Sequence, residues 1–308
     1  MSIRDHLLPE ARQMLNLPDD KRIQALQVDR WIDYPRAAEA LSRLRRLLDT
    51  PRRERMPCLV LHEPSNIGKT LIVRKFQREH PPDFDGKRGV ERRPVIAMQM
   101  PPTPDQRRFY RALLAVIGAP QGPNTTLASL EQVARDILLR MEPRMLIVDE
   151  VHHLLAGSHR EQRASLNLLK YLANELKISI VAVGTSEAPV AFQSDAQIYS
   201  RFAPFEIPRW TESEQFRSLL SAFEAALPLR QSSDLTQRPI VQFLIAVSGG
   251  LLGEVSRLLN DAAERAILGG SERVTLKSAW LYTPAVPCVL HPRASTGSVR
   301  PISGCIAI

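Results

Sequence analysis

The 308-residue chain is 44% hydrophobic and 24% charged, a globular balance that excludes wholesale disorder and allows one large domain or two smaller ones. Three cysteines exclude a disulfide framework and fit a reducing cytoplasm, and no apolar run approaches the ~18 residues that span a bilayer. The formal charge of +8 admits two readings, an anionic partner such as nucleic acid or a solvated arginine-rich surface.

The opening residues mix acid and base and lack the apolar stretch of a secretory signal. Residues 1–50 read as helical. Ile23, Leu26, Trp31 and Ile32 supply apolar positions, and Ala37, Ala40, Leu41, Leu44, Leu47 and Leu48 recur at three- and four-residue steps after Pro35, which starts the second helix. A charged connector follows at 49–56. Four strand-length apolar runs come next, at Cys58–Leu61, Val95–Met98, Met145–Val148 and Ile178–Val183. Helical patterns separate them at Thr70–His80, Asp105–Ile117, Leu127–Arg140 and Ala164–Leu176. Strands alternating with helices predict an α/β fold, a parallel sheet covered by helices on both faces. After a helical piece near Ala188–Arg201, a fifth strand is expected at Phe205–Pro208.

Beyond Trp210 the strand patterns stop. Helices are expected at Glu212–Leu227, Pro239–Val247, Gly253–Ile267 and Leu276–Leu281. From about Pro284 the chain carries no acidic residue and many Pro, Gly and Ser, together with Cys288 and Cys305, and reads as a disordered tail. The expected organisation is a helical segment at 1–55, a sheet-bearing core at 56–208, a helical lid at 209–283 and the tail at 284–308.

The strongest chemical signal runs from Glu63 through Pro64, Ser65, Asn66, Ile67, Gly68, Lys69 and Thr70 to Leu71, between the first strand and its helix. Gly-Lys-Thr opening a helix after a strand is the P-loop arrangement: backbone N–H groups cradle phosphate, Lys69 adds a point charge and Thr70 can ligate Mg²⁺. The motif wants glycine where Glu63 stands. About 80 residues on, Met145–Val148 ends in Asp149 and Glu150, which puts two carboxylates at the sheet edge where α/β ligands bind. Asp149 would hold Mg²⁺ and Glu150 would deprotonate the attacking water. Thr185 ends the fourth run, either sensing the γ-phosphate or capping the next turn. Arg201 can reach a neighbouring subunit's phosphate or be surface charge. Arg257 is either a lid contact to nucleotide or helix-surface charge. His152 and His153 follow the carboxylates, but adjacent side chains diverge and no third ligand is spaced for zinc. Cys58 reads as a buried thiol.

The ordered set of motifs adds Arg30–Pro35, Arg55-Met56-Pro57, Val148–Leu154, Val183–Ala188, Ser200-Arg201-Phe202, Pro208-Arg209-Trp210 and Ser248–Glu254 to Asn66–Thr70. Together they resemble the TniB/TnsC-type family of AAA+ transposition ATPases, most closely TniB. The resemblance implies an AAA+ P-loop core with a helical lid, ATP and Mg²⁺ as ligands, and a bacterial, cytoplasmic, DNA-associated setting with no membrane. It implies self-assembly into rings or filaments on double-stranded DNA, a DDE-type transposase and a TniQ-type target-selection protein as partners, and disassembly on hydrolysis. It makes Gly68, Lys69 and Thr70 the Walker A residues, Asp149 and Glu150 Walker B, Thr185 the first sensor and Arg201 the arginine finger. Glu63 and the acid-free tail depart from the family pattern. A nucleotide-dependent protein-binding switch, or a degenerate ATPase adaptor without DNA binding, is the alternative.

The positive excess is not spread evenly: residues 41–95 carry 14 Lys and Arg against seven acids. Arg92 and Arg93 before the second strand, with Arg107 and Arg108 opening the helix after it, are the candidate DNA contacts. Arg52, Arg53, Arg55, Lys87 and Arg88 add to the same basic region. Phosphate contacts of this kind are independent of sequence and weaken with salt.

Overall fold

The computed structural model describes residues 6–63, 68–87, 89–193 and 196–276. Helix α1 (Pro9–Met14), α2 (Asp19–Leu26) and α3 (Pro35–Asp49) precede the first strand, β1 (Cys58–Glu63). Then come α4 (Lys69–Glu79), a short antiparallel hairpin of β2 (Asp83–Asp85) and β3 (Val90–Arg92), β4 (Val95–Gln99), α5 (Gln106–Val116) and α6 (Leu127–Met141). Strand β5 (Met145–Asp149) leads through a 3₁₀ segment (Val151–Ala156) to α7 (His159–Glu175) and β6 (Ser179–Thr185). Two short helices, α8 (Ala188–Gln193) and α9 (Ala196–Tyr199), lead to β7 (Phe202–Glu206). The described chain finishes with α10 (Glu214–Ala226), α11 (Arg238–Ser248) and α12 (Leu252–Leu268).

The main sheet has five strands in the order β4-β5-β6-β1-β7, and every pairing is parallel. Side chains alternate across it, as the two-residue period of a strand requires. Leu59, Leu61, Ile147, Val181 and Val183 face a core shared with α3, α4, α10, α11 and α12. Val60, Ile96, Leu146, Val148, Ile180 and Ala182 face a second core built with α5, α6, α7 and α8. A fully buried aliphatic side chain contributes about 1.5–3 kcal/mol, so continuous apolar strands are stable only with both faces covered. No single helix among the described residues is long and apolar enough to cross a membrane.

The expected strands and helices lie close to where the apolar runs put them, and the larger differences are these. The fifth strand is β7 at Phe202–Glu206, not Phe205–Pro208. Pro204 sits inside it because β7 pairs only with β1, and an edge strand tolerates a missing N–H. Helix α7 starts at His159, five residues before the apolar pattern, because Ser158 and Glu161 form a reciprocal capping box. The β2–β3 hairpin has no counterpart in the sequence reading. The expected helix at Leu276–Leu281, all but its first residue, and the tail with Cys288 and Cys305 lie outside the described residues.

Candidate functional site

Strand β1 runs two residues past its expected end and delivers Glu63 to the sheet's C-terminal edge. Pro64, Ser65, Asn66 and Ile67 lie outside the described residues. Gly68 caps α4 at φ +101°, a left-handed conformation that glycine adopts without a Cβ penalty. Lys69 and Thr70 are therefore the first helical residues, at the positive end of the α4 dipole. Lys69 Nζ lies 3.1 Å from Glu63 Oε1 and 3.5 Å from the Glu63 carbonyl oxygen. The ammonium stands off the hydrogen-bonding direction of the carboxylate, and both Glu63 carboxylate oxygens are buried without a hydrogen bond. Burial pushes the Glu63 carboxyl up to about 7, against the attraction of Lys69.

The neighbouring strands bring the acidic half. The Thr70 hydroxyl donates to Asp149 Oδ2 at 3.2 Å, across 79 residues of sequence. Burial raises the Asp149 carboxyl above its ordinary value, while the Glu150 N–H, donated to Asp149 Oδ1 at 2.8 Å, pulls the other way. Glu150 adopts φ +56°, turning the chain from β5 into the 3₁₀ segment. That is an uncommon conformation for a residue with a side chain, costing on the order of 1 kcal/mol. His152 Nδ1 lies 3.2 Å from Glu150 Oε2, and His153 Nδ1 pairs with the Met100 carbonyl at 3.0 Å. The expectation that the two histidines diverge is corrected: their ring centroids are 4.9 Å apart, and ligand atoms of Glu150, His152 and His153 all lie within 4.8 Å of one another. Thr185 is the register partner of Glu63, and its buried Oγ1 has no hydrogen-bond partner. Just before it, a Cβ on Gly184 would stand 2.8 Å from Ala188 Cβ and 2.9 Å from Val151 Cγ1, so the 3₁₀ segment can cross there only over glycine.

Part of this set shares a cleft of about 570 Å³, within the range of small-molecule sites; Asp149, His152 and His153 do not line it. Glu63, Gly68, Lys69, Thr70, Leu71, Glu150, Thr185 and Arg257 all line it. Its other wall was not legible in the sequence. Trp31, Ile32 and Tyr34, from the stretch between α2 and α3, face Leu252 and Asn260 of α12 across it. Arg30 fixes this stretch by donating to the Ala226 carbonyl and to Asn260 Oδ1, both at 2.8 Å. The signal available beforehand was a Trp-Ile pair next to a helix-starting proline, which packing alone explains equally well.

Arg257 is held by Glu254 at 2.8 Å and Asp261 at 3.3 Å. Arg201 is elsewhere: its carbonyl accepts from the Cys58 N–H at the start of β1, and its Nη1 donates to Asn174 Oδ1 at 2.6 Å. It therefore lies at the opposite end of the sheet from Thr70. Cys58 is buried, and burial pushes its thiol up to about 11.

The four candidate DNA arginines fall into two pairs at opposite ends of β4, not one row. Arg92 pairs with Asp85 at 3.1 Å and Glu142 at 3.6 Å, and Arg93 pairs with Glu91. The basic excess of residues 41–95 is offset in the same way elsewhere, by Arg45–Glu79 and by Arg74–Asp29. Arg107 and Arg108 are exposed and donate to neutral groups, the Thr125 carbonyl and the Thr103 hydroxyl, both at 2.7 Å. Their charge stays uncompensated by those bonds.

Comparison with known proteins bears on the fold and the family. The Aeropyrum pernix ORC1 protein in complex with DNA is 21% identical, with 84% of this chain and 68% of that chain covered and a TM-score of 0.59. The Aeropyrum pernix ORC2 protein in its ADPNP–ADP complexes is 16% identical, with coverage of 83% and 70% and a TM-score of 0.57. Drosophila ORC bound to DNA is 14% identical, with coverage of 86% and 67% and a TM-score of 0.52. At these identities the likeness is one of fold, that of AAA+ P-loop ATPases. No curated protein matches the sequence. The family model described as Bacterial TniB protein matches residues 22–212, well over half of the chain, and by that match the chain belongs to the TniB family.

Proposed function

We propose that this chain is an ATP-dependent, DNA-binding AAA+ regulator of transposition. The observation that carries the nucleotide reading is the meeting of Thr70 and Asp149 at 3.2 Å beside Lys69, at the N-terminus of α4. A hydroxyl and a carboxylate this close, with Thr185 Oγ1 unpaired nearby, fit a Mg²⁺–triphosphate; the buried Glu63 carboxylate opposes it.

In this reading ATP is the substrate and Thr70 and Asp149 hold the Mg²⁺, which neutralises phosphate charge when bound. The α4 N-terminus and Lys69 bind the β- and γ-phosphates. Trp31 and Ile32 pack the base against Leu252. Glu150 takes the proton from the water that attacks the γ-phosphorus, ADP leaves, and Thr185 hydrogen-bonds the γ-phosphate oxygen. Arg201, far from its own cleft, serves the site of an adjacent copy, and Arg257 contacts nucleotide from α12. Duplex DNA meets Arg107 and Arg108 ahead of Arg92 and Arg93, whose charges are already paired. ATP-bound copies assemble on DNA, engage a DDE-type transposase and a TniQ-type partner, and come apart on hydrolysis. Family membership supports the transposition role, and two structural neighbours are DNA complexes. The division at 1–55, 56–208, 209–283 and 284–308 is kept as the working domain plan.

The test is duplex binding with and without ATP across a salt series, for wild type and Glu150→Gln. ATP-dependent, salt-sensitive binding that Glu150→Gln prolongs is expected. No binding at low salt with ATP would leave a protein-binding switch. The Glu63–Lys69 contact favours a second reading, an adaptor that has lost ATP turnover; micromolar ATP affinity with measurable hydrolysis removes it.

A further inference from the structure

Glu63 stands where a P-loop takes glycine, and the structure shows what it does there. Its side chain is fully buried, and its only charged neighbour within ion-pair distance, among the described residues, is Lys69. Lys69 is itself 90% buried, with a side-chain exposure of 10%. The other titratable group that feels the Glu63 charge is Tyr34, packed from the stretch before α3, whose buried hydroxyl has no hydrogen-bond partner and is pushed up by burial first and by Glu63 second. From β6 the uncharged Thr185 Oγ1 abuts the same strand end. Asp29, Arg30, Arg74, Glu150, Arg257 and Asp261 also line the cleft, and each is engaged with other groups. Lys69 is thus the ammonium beside the Glu63 carboxylate among the described residues, and its charge also reaches Asp149.

We propose that Glu63 competes with the triphosphate for Lys69, so that nucleotide binding moves Lys69 from Glu63 to phosphate and draws a proton onto the abandoned carboxylate. This rests on the nucleotide reading above and adds a positioning residue to it. The physical reason is the cost of an unpaired buried charge. With Lys69 engaged elsewhere, Glu63 would face a polyphosphate with no counter-ion, and a buried carboxylate in that position neutralises itself. The direction follows by linkage. Burial already pushes the carboxyl up to about 7 while Lys69 is beside it, and loss of Lys69 raises it further. Below that value Glu63 is already protonated and binding takes up nothing. Above it, binding takes up a proton, and affinity falls by about tenfold per pH unit.

The experiment is calorimetric titration of the full chain with Mg²⁺ and ATPγS near pH 8, in HEPES and in Tris. The difference between buffers of unlike ionisation enthalpy counts protons. Wild type is expected to take up close to one proton per nucleotide, and Glu63→Gln none, with affinity that no longer falls as pH rises. If Glu63→Gln does not fold, the wild-type proton count stands alone. Nucleotide binding without proton uptake, or equal uptake by Glu63→Gln, overturns the proposal and leaves the nucleotide site intact. Failure of both proteins to bind ATPγS at any pH overturns the nucleotide reading, and the proposal with it.

Discussion

Arg22 is fully buried, and its removal gives the most quantitative test of how the structure is held together. Its guanidinium donates to Glu272 at 2.8 and 2.5 Å, to the Pro228 carbonyl at 2.7 Å and to Asp19 at 2.9 Å. Arg22→Met keeps the bulk and deletes the charge. Glu272, with 9% of its side chain exposed, then keeps only the Arg230 N–H at 3.2 Å and the half-exposed Arg230 guanidinium at 3.3 Å. Breaking a buried pair costs 3–5 kcal/mol, and the partial rescue by Arg230 puts this case near the lower end, about 3 kcal/mol. For a chain of this size that is a fall in Tm of roughly 6–10 °C. Urea unfolding followed by tryptophan fluorescence measures it. The double variant Arg22→Met, Glu272→Met replaces a buried pair with apolar groups and should recover most of the loss. A single-variant cost below about 1 kcal/mol, or a double variant no better than the single, refutes the reasoning.

Three further outcomes follow from the site. Burial holds the Glu63 carboxyl near 7 against an ordinary 4.5, so its contribution to stability is full below 4.5 and is lost as pH rises through 7. Glu63→Gln should gain on wild type by about 3 kcal/mol between roughly pH 4 and 8, and a Tm difference that ignores pH would sink the idea. Gly184→Ala forces a Cβ into Ala188 and Val151 and should cost about 1–3 kcal/mol in thermal unfolding, with an unchanged Tm counting against the crossing described. Trp31→Ala removes the aromatic wall of the cleft and should weaken binding of a fluorescent ATP analogue by about tenfold; unaltered affinity would take Trp31 out of the site.

Strands β1, β4, β5 and β6 were legible because they are largely buried and read as continuous apolar runs, and β1, β5 and β6 lead straight into residues of the site; β7, a half-exposed edge strand, was not placed correctly. Lys69, Thr70, Asp149, Glu150 and Thr185 were legible too, being strand and helix ends whose chemistry is local. The β2–β3 hairpin was not, since its three-residue strands are polar and Phe84 is largely exposed. Nor was the Trp31–Tyr34 wall, because no local pattern says that a stretch before the sheet will cross to α12. Glu63 was visible as a departure, but its pairing with Lys69 depends on where the chain on either side of the loop is held. Whether an arginine is compensated, as Arg92 is and Arg107 is not, depends on acids supplied by distant segments.

The same long-distance contacts bear on the order in which the molecule can be made. Arg22 meets Glu272 across 250 residues, and Arg30 meets Asn260 across 230. During synthesis α2 emerges long before α12, so Arg22 has its local partner Asp19 early but lacks Glu272 until the segment carrying it arrives, and Arg30 waits for Asn260. The parallel sheet has its strands well before then, but one wall of the cleft does not close until α12 arrives. A ribosome-bound chain stalled ahead of α12 would carry the P-loop and both acidic residues with the cleft still open. Emergence of α12, rather than formation of the sheet, therefore sets the moment at which the molecule can first enclose a ligand.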